Sequence, residues 1–222
     1  MIVTIDGPAG AGKSSIAREV AERLGFEFLD TGAMYRAVTL GAIRAGIAWE
    51  NIAALVQFAA QARLEWNGNR VFLDDRDVTD EIRTPSVTSA IRHVADIPEV
   101  RQQLSLHQRP IAEGRDIVTE GRDQGSEVFP DAQCKIFLTA SPEERARRRQ
   151  DQLAASGRHL PFEEVLSAQN QRDLEDSARP VGALRAAEDA VLVESDQLTP
   201  EQVVFQILEI VQRSMSQIEE RH

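Results

Sequence analysis

The 222 residues carry 36 acidic against 25 basic side chains, a formal net charge of -11, which argues against nucleic acid or an acidic membrane as the main partner but leaves room for a small anion held by local arginines. A hydrophobic content of 42% suits one packed α/β domain of this length. A lone cysteine, Cys134, excludes an intrachain disulfide and a thiolate metal site, and with no signal peptide or bilayer-length apolar run the expected setting is the reducing cytoplasm.

Residues 2–6 read as a strand, and Gly7-Pro8-Ala9-Gly10-Ala11-Gly12-Lys13-Ser14-Ser15 follows it. This is G-x-x-x-x-G-K-[ST] between a strand and a helix, the context of a phosphate-binding loop. The glycines let backbone N–H groups approach phosphate oxygens without a Cβ in the way. Lys13 reaches toward β- and γ-phosphates, and the Ser14 hydroxyl is a ligand for Mg²⁺. Lysine occurs only at 13 and 135, so a chain otherwise built on arginine keeps lysine in this loop.

Residues 13–24 form a helix with Ile16, Val20, Ala21 and Leu24 on one face and Gly25 as its stop. Phe26–Leu29 is a short strand leading into Asp30-Thr31-Gly32-Ala33-Met34-Tyr35-Arg36, and 33–45 and 52–63 are helical. Within 64–83, Leu64-Glu65-Trp66 and Arg70-Val71-Phe72-Leu73 flank Asn67-Gly68-Asn69 as a hairpin, the start of a small inserted subdomain. Residues 86–109 are helical with a break near Pro98. Strands follow at 116–120, 135–138 and 190–194, an alternation that predicts a parallel sheet covered by helices. Ser141-Pro142-Glu143-Glu144 and Thr199-Pro200-Glu201-Gln202 are helix starts, with a capping hydroxyl, proline in the first turn and acids at the positive end of the dipole. The terminal helix buries Val203, Val204, Ile207, Leu208 and Val211, and the tail 219–222 is expected to fray. Residues 154–185 are poor in large apolar side chains and hold Arg158, Arg172, Arg179 and Arg185, which suits a mobile lid or, more plainly, a solvated helical hairpin.

The loop alone does not say what becomes of the γ-phosphate. The Asn-Lys-x-Asp and Asp-x-x-Gly motifs of GTP switches are absent, and a motor would need more chain. A small kinase then needs cations for its acceptor, and arginine's planar fork suits a phosphate. Candidates are Arg36 beside Tyr35, Arg83, Arg101 and Arg122-Asp123. Glu-Gly-Arg-Asp occurs twice, at 113–116 and 120–123. The second copy follows its strand, at the carboxyl end where ligands bind in open α/β sheets. Arg122 and Asp123 are therefore the functional pair, with Arg115 and Asp116 the structural one.

Taken with Ile5-Asp6-Gly7-Pro8, Glu81-Ile82-Arg83-Thr84, Pro98-Glu99-Val100-Arg101, Val128-Phe129-Pro130-Asp131-Ala132, Glu144-Arg145-Ala146 and Arg172-Asp173 with Asp176 and Arg179, these elements resemble the bacterial cytidylate kinases over nearly the whole chain. The resemblance implies a P-loop NTPase-type parallel sheet flanked by helices, with a nucleoside-monophosphate (NMP) binding insert at about 64–109 and a helical lid at about 154–185. The core would be 1–63, 110–153 and 186–222. It implies transfer of the γ-phosphoryl group of ATP to CMP or dCMP with Mg²⁺, by a monomer without nucleic-acid or membrane partners. Residues 7–15 with Arg148 and Arg149 would hold ATP. Thr31, Tyr35, Arg36 and Arg83 would line the monophosphate site, Arg101 and Asp123 would hold the base, and Asp176 would hold the sugar hydroxyls. Arg122 would bind the phosphate and Arg179 the CMP phosphate or the transferring group, both acting with Lys13 in catalysis. Four positions depart from the family pattern: Ser15, where threonine is frequent, Arg92, where some members have a base-contacting serine, and Glu175 and Ser177, where some have arginine in the lid. The attacking group is already a phosphate oxygen, so positioning and charge stabilisation carry the chemistry in place of a strong base. A kinase for UMP or a simple alcohol remains open, as does a non-catalytic nucleotide-responsive binding protein that uses 64–83 as a docking surface.

Overall fold

The computed structural model describes residues 1–67 and 70–220. Gly68 and Asn69 of the expected hairpin turn, and Arg221 and His222 of the tail, lie outside the described residues. The chain opens with β1 (Ile2–Asp6), α1 (Lys13–Leu24), β2 (Glu27–Asp30), α2 (Thr31–Arg44) and α3 (Ile52–Gln61). Next come β3 (Leu64–Asn67), β4 (Arg70–Leu73), β5 (Arg76–Asp77), α4 (Pro85–Ala90), α5 (Arg92–Ala95) and α6 (Pro98–Ala112). It closes with β6 (Ile117–Gly121), β7 (Cys134–Thr139), α7 (Pro142–Ala155), α8 (Phe162–Ser177), β8 (Val191–Glu194) and α9 (Pro200–Glu219).

Two compact units divide it, Met1–Leu29 with Gly114–His222, and Asp30–Glu113. Residues 30–63 thus fall with the insert, not with the core where the sequence reading put them. The reason is packing: a Cβ on Gly41 of α2 would lie 2.3 Å from the Phe58 ring of α3 and 3.0 Å from Leu73 of β4. Helix α2 is the spine of that unit, and its buried Met34 and Val38 join Leu55, Ile82 and Leu104 in the interior. The small sheet there has the order β3-β4-β5, one strand more than the expected hairpin.

In the other unit the five-stranded sheet has the order β2-β6-β1-β7-β8. Strand β1 pairs parallel with β6 and β7, and β7 pairs parallel with β8. A β1 buried on both faces needs helices on both, and the core joins Val3, Ile5, Ile16, Val20, Ile136 and Leu138 to Val203, Val204, Ile207 and Val211 of α9. Caps fix the helix ends. Gly25 stops α1 at φ 70, Ser141 Oγ accepts from the Glu144 N–H at 3.3 Å, and Thr199 and Gln202 close a full capping box. The register aligns Asp6 with Gly121, so the turns after β1 and β6 emerge side by side.

Candidate active site

The loop after β1 depends on backbone freedom at three glycines. Gly7, Gly10 and Gly12 take φ of 148, 81 and 90, a region that side chains with a Cβ avoid. A Cβ at Gly7 would also meet the Leu138 carbonyl oxygen at 2.0 Å. Lys13 opens α1 but its side chain folds back and is buried, with Nζ donating to the Pro8 carbonyl at 2.7 Å. Burial and then the nearby Arg122 guanidinium push its pKa well below the usual lysine value, with Glu120 and Asp6 opposing. Ser14 Oγ donates to Glu120 Oε1 at 2.8 Å, and Ser15 Oγ to the Gly12 carbonyl at 3.0 Å.

The turn after β6 brings a second set of charges. Arg122 donates from Nε to Asp176 Oδ2 at 3.1 Å, and Arg179 pairs with Asp176 Oδ1 at 2.6 Å. Burial raises the Asp176 carboxyl, but Arg122, Arg179 and Arg172 outweigh it and hold it below the usual carboxylate range. Asp123 is buried beside them. Asp6 accepts from the Gln124 and Gly125 N–H groups at 2.9 and 2.7 Å, so the last residue of β1 pins this turn. Burial raises the Asp6 carboxyl from 3.8 to about 7. Arg148 donates to Ser195 Oγ at 3.0 Å and, at 3.5 Å, to the Ala11 carbonyl of the loop. Arg149 is exposed and donates to Gln152 Oε1 at 3.4 Å, within its own helix. Arg115 makes an exposed ion pair with Glu27 at 2.9 Å, at the opposite end of the strand from Arg122.

In the inserted unit, Asp30 caps α2 through the Ala33 N–H at 2.8 Å. Its carboxylate also receives Arg36 at 3.2 Å on each oxygen and Arg83 at 3.4 Å. Thr31 and Tyr35 are buried on the same helix, and the Arg101 guanidinium sits 5.1 Å from the centre of the Tyr35 ring. Arg92 pairs with Asp96 at 3.3 Å within its own helical segment, and Glu175 accepts from Gln171 at 2.7 Å. Asp6, Asp30 and Glu120 carry no local sequence signal of a role. Each is a buried carboxylate whose partners are set by the fold, and only its place inside a recurrent motif pointed to it.

A glycine loop with a buried lysine at the carboxyl edge of a parallel sheet, with Arg122 near that lysine and sharing Asp176 with Arg179, is the arrangement of a P-loop phosphate site with further cations beside it. A sequence model of the cytidylate kinase family matches residues 3–213. A cytidylate kinase of Rhodopirellula baltica is 65% identical over 211 residues, covering 95% of this chain and 92% of that one. One from Caldanaerobacter subterraneus subsp. tengcongensis is 47% identical over 212 residues, covering 96% and 95%. A solved structure of an uncharacterized protein from Eubacterium ventriosum shares the fold at a TM-score of 0.53 with 11% identity, over 96% of this chain and 98% of that one. The chain belongs to the cytidylate kinase family.

Proposed function

We propose that the chain transfers the γ-phosphoryl group of ATP to CMP and dCMP, giving ADP with CDP or dCDP. The observation that carries this reading is a second set of cations beside the first. Lys13 of the loop lies in the field of Arg122, which shares Asp176 with Arg179. A protein that only bound ATP would need no such set.

In this reading Gly7 to Ser15 with Arg148 and Arg149 hold ATP. Arg36 and Arg83, poised on Asp30, take the CMP phosphate with Thr31 and Tyr35, while Arg101 and Asp123 hold the base and Asp176 the sugar hydroxyls. Lys13, Arg122 and Arg179 neutralise the in-line transition state. Mg²⁺ suits the loop, because the exposed Ser14 hydroxyl and the Glu120 carboxylate are an all-oxygen set, and a hard cation takes its other ligands from water and phosphates. Bound there, it would offset charge on the β- and γ-phosphate oxygens. Closure of 154–185 as a lid would exclude water and so suppress ATP hydrolysis. Among the described residues no helix is long and apolar enough to cross a membrane. The reading includes a cytoplasmic monomer, which sedimentation would check.

Coupled ADP release with CMP, dCMP, UMP, AMP and simple alcohols as acceptors tests the reading. Preference for CMP and dCMP is the expected result; equal rates with UMP or an alcohol, or ATP binding without turnover, would overturn it.

A further inference from the structure

Arg145 lies outside the residues assigned above, yet its guanidinium is among the most buried charges of its unit, at 5% side-chain exposure. Three elements converge on it. Nε donates to the Ala140 carbonyl at 3.0 Å, where β7 passes into α7. Nη1 donates to the Ala9 carbonyl of the phosphate loop at 3.2 Å and pairs with Asp173 of α8. Arg145 donates to Asp173 Oδ2, while Asp173 Oδ1 is buried with no hydrogen-bond partner among the described residues. Helix α8 touches the same loop residue again, through Gln169 Nε2 at 3.4 Å from the Ala9 carbonyl. The fit is close, since a Cβ on Gly10 would lie 2.5 Å from Gln169 Nε2 and 3.2 Å from Arg145 Cβ.

The Ala9 carbonyl and the Gly10 N–H belong to one peptide group. A cation bonded to that oxygen turns it away from the ligand side and polarises the group, which makes the Gly10 N–H a stronger donor toward a phosphate oxygen. The same pattern recurs at Pro8, whose carbonyl receives Lys13, and at Ala11, whose carbonyl receives Arg148. We propose that Arg145 is a positioning residue for the phosphoryl donor: it sets the loop's peptide groups and, through Asp173 and Gln169, ties their orientation to helix α8. This rests on the loop being the ATP site. If α8 moves as part of a lid, the ion pair carries that movement to Ala9 and Gly10.

Calorimetric titration of Mg²⁺–ATP without acceptor, and of CMP alone, tests this on the wild type and on R145K, D173N, Q169A and R145K/D173N. Lysine keeps the charge but lacks the fork that spans three partners. R145K is expected to weaken ATP binding about tenfold and D173N about fivefold, with CMP binding changed less than twofold in each. The double variant is expected to be no weaker than R145K alone, because the two side chains act as one unit. Q169A keeps the buried ion pair and is expected to lose ATP affinity about threefold, so it carries the test should R145K fail to fold. ATP affinities within twofold of wild type in all folded variants, equal losses for ATP and CMP, or multiplicative losses in the double variant would overturn the proposal. Failure of the wild type to phosphorylate CMP would overturn the assigned reaction and leave this comparison intact.

Discussion

Replacing Asp6 with asparagine is expected to remove a large part of the pH dependence of stability in the nucleotide-free protein. Asp6 is 3% exposed and its carboxyl is raised from 3.8 to about 7, by burial first and then by Asp123, with the Gly125 and Gln124 N–H groups and Lys13 offsetting part. Between these two values the native chain holds a proton at Asp6 that the unfolded chain has released. Stability from this group is therefore complete below the unfolded value and lost as pH rises through the folded one. A shift of about three pH units at about 1.4 kcal/mol each is worth roughly 4 kcal/mol. The Asp6→Asn variant keeps an oxygen for one of the two N–H groups while carrying no titration. Its fixed cost, an N–H left facing an amide, is about 1–3 kcal/mol and does not vary with pH. Urea unfolding followed by circular dichroism, from about pH 4 to about pH 8, measures the difference between wild type and variant. The wild-type advantage is expected to shrink by about 4 kcal/mol across that range, most of it between about pH 5 and 7. A difference constant to within about 1 kcal/mol would refute the reasoning, because it would mean that the buried carboxyl titrates as it does in the unfolded chain.

Three further outcomes are expected. Lys13→Ala should lower turnover by at least about 100-fold, the scale of losing a preorganised charge, while circular dichroism and melting stay near wild type. Mg²⁺–ATP binding above neutral pH should take up as much as one proton, because phosphate favours the Lys13 ammonium that burial and Arg122 disfavour in the free chain. Binding heats that do not vary among buffers of different ionisation enthalpy would contradict it. Gly41→Ala should destabilise by about 1–3 kcal/mol despite alanine's better helix propensity, since its Cβ would overlap Phe58. Adding Phe58→Leu should recover part of the loss in a melting experiment, and a neutral Gly41→Ala would contradict the close packing of α2 on α3.

Local chemistry made most of the fold legible. The stops and starts at Gly25, Ser141 and Thr199 are each encoded within about four residues, and the strands of the large sheet are short apolar runs. Strand β5 escaped notice because Arg76 and Asp77 are both exposed, leaving no alternation to read. The unit boundary at 29/30 escaped for another reason. Helix α2 follows β2 without a break, and its allegiance is decided by Phe58 and Leu73 packing on Gly41, contacts that no local pattern announces.

The sequence names candidate site residues but not their pairings. Arg36, Arg122 and Arg179 are candidate phosphate ligands, but an unpaired, largely buried guanidinium is costly, and each has a carboxylate in the substrate-free chain. Asp30 fills that place for Arg36 and Arg83, and Asp176 fills it for Arg122 and Arg179. The partner lies 54 residues from Arg122 in one case and 53 from Arg83 in another, a separation at which sequence pattern carries no signal. These pairs also change what binding means. On the proposed assignment, a phosphate arriving at Arg122 and Arg179 would displace a carboxylate that already neutralises them, so its net gain would be the difference between two ion pairs rather than the full attraction of a bare cation. Asp176, released from two arginines, would then be free to accept from a hydroxyl, so on that assignment one exchange would serve both halves of an acceptor that carries a phosphate and a sugar together.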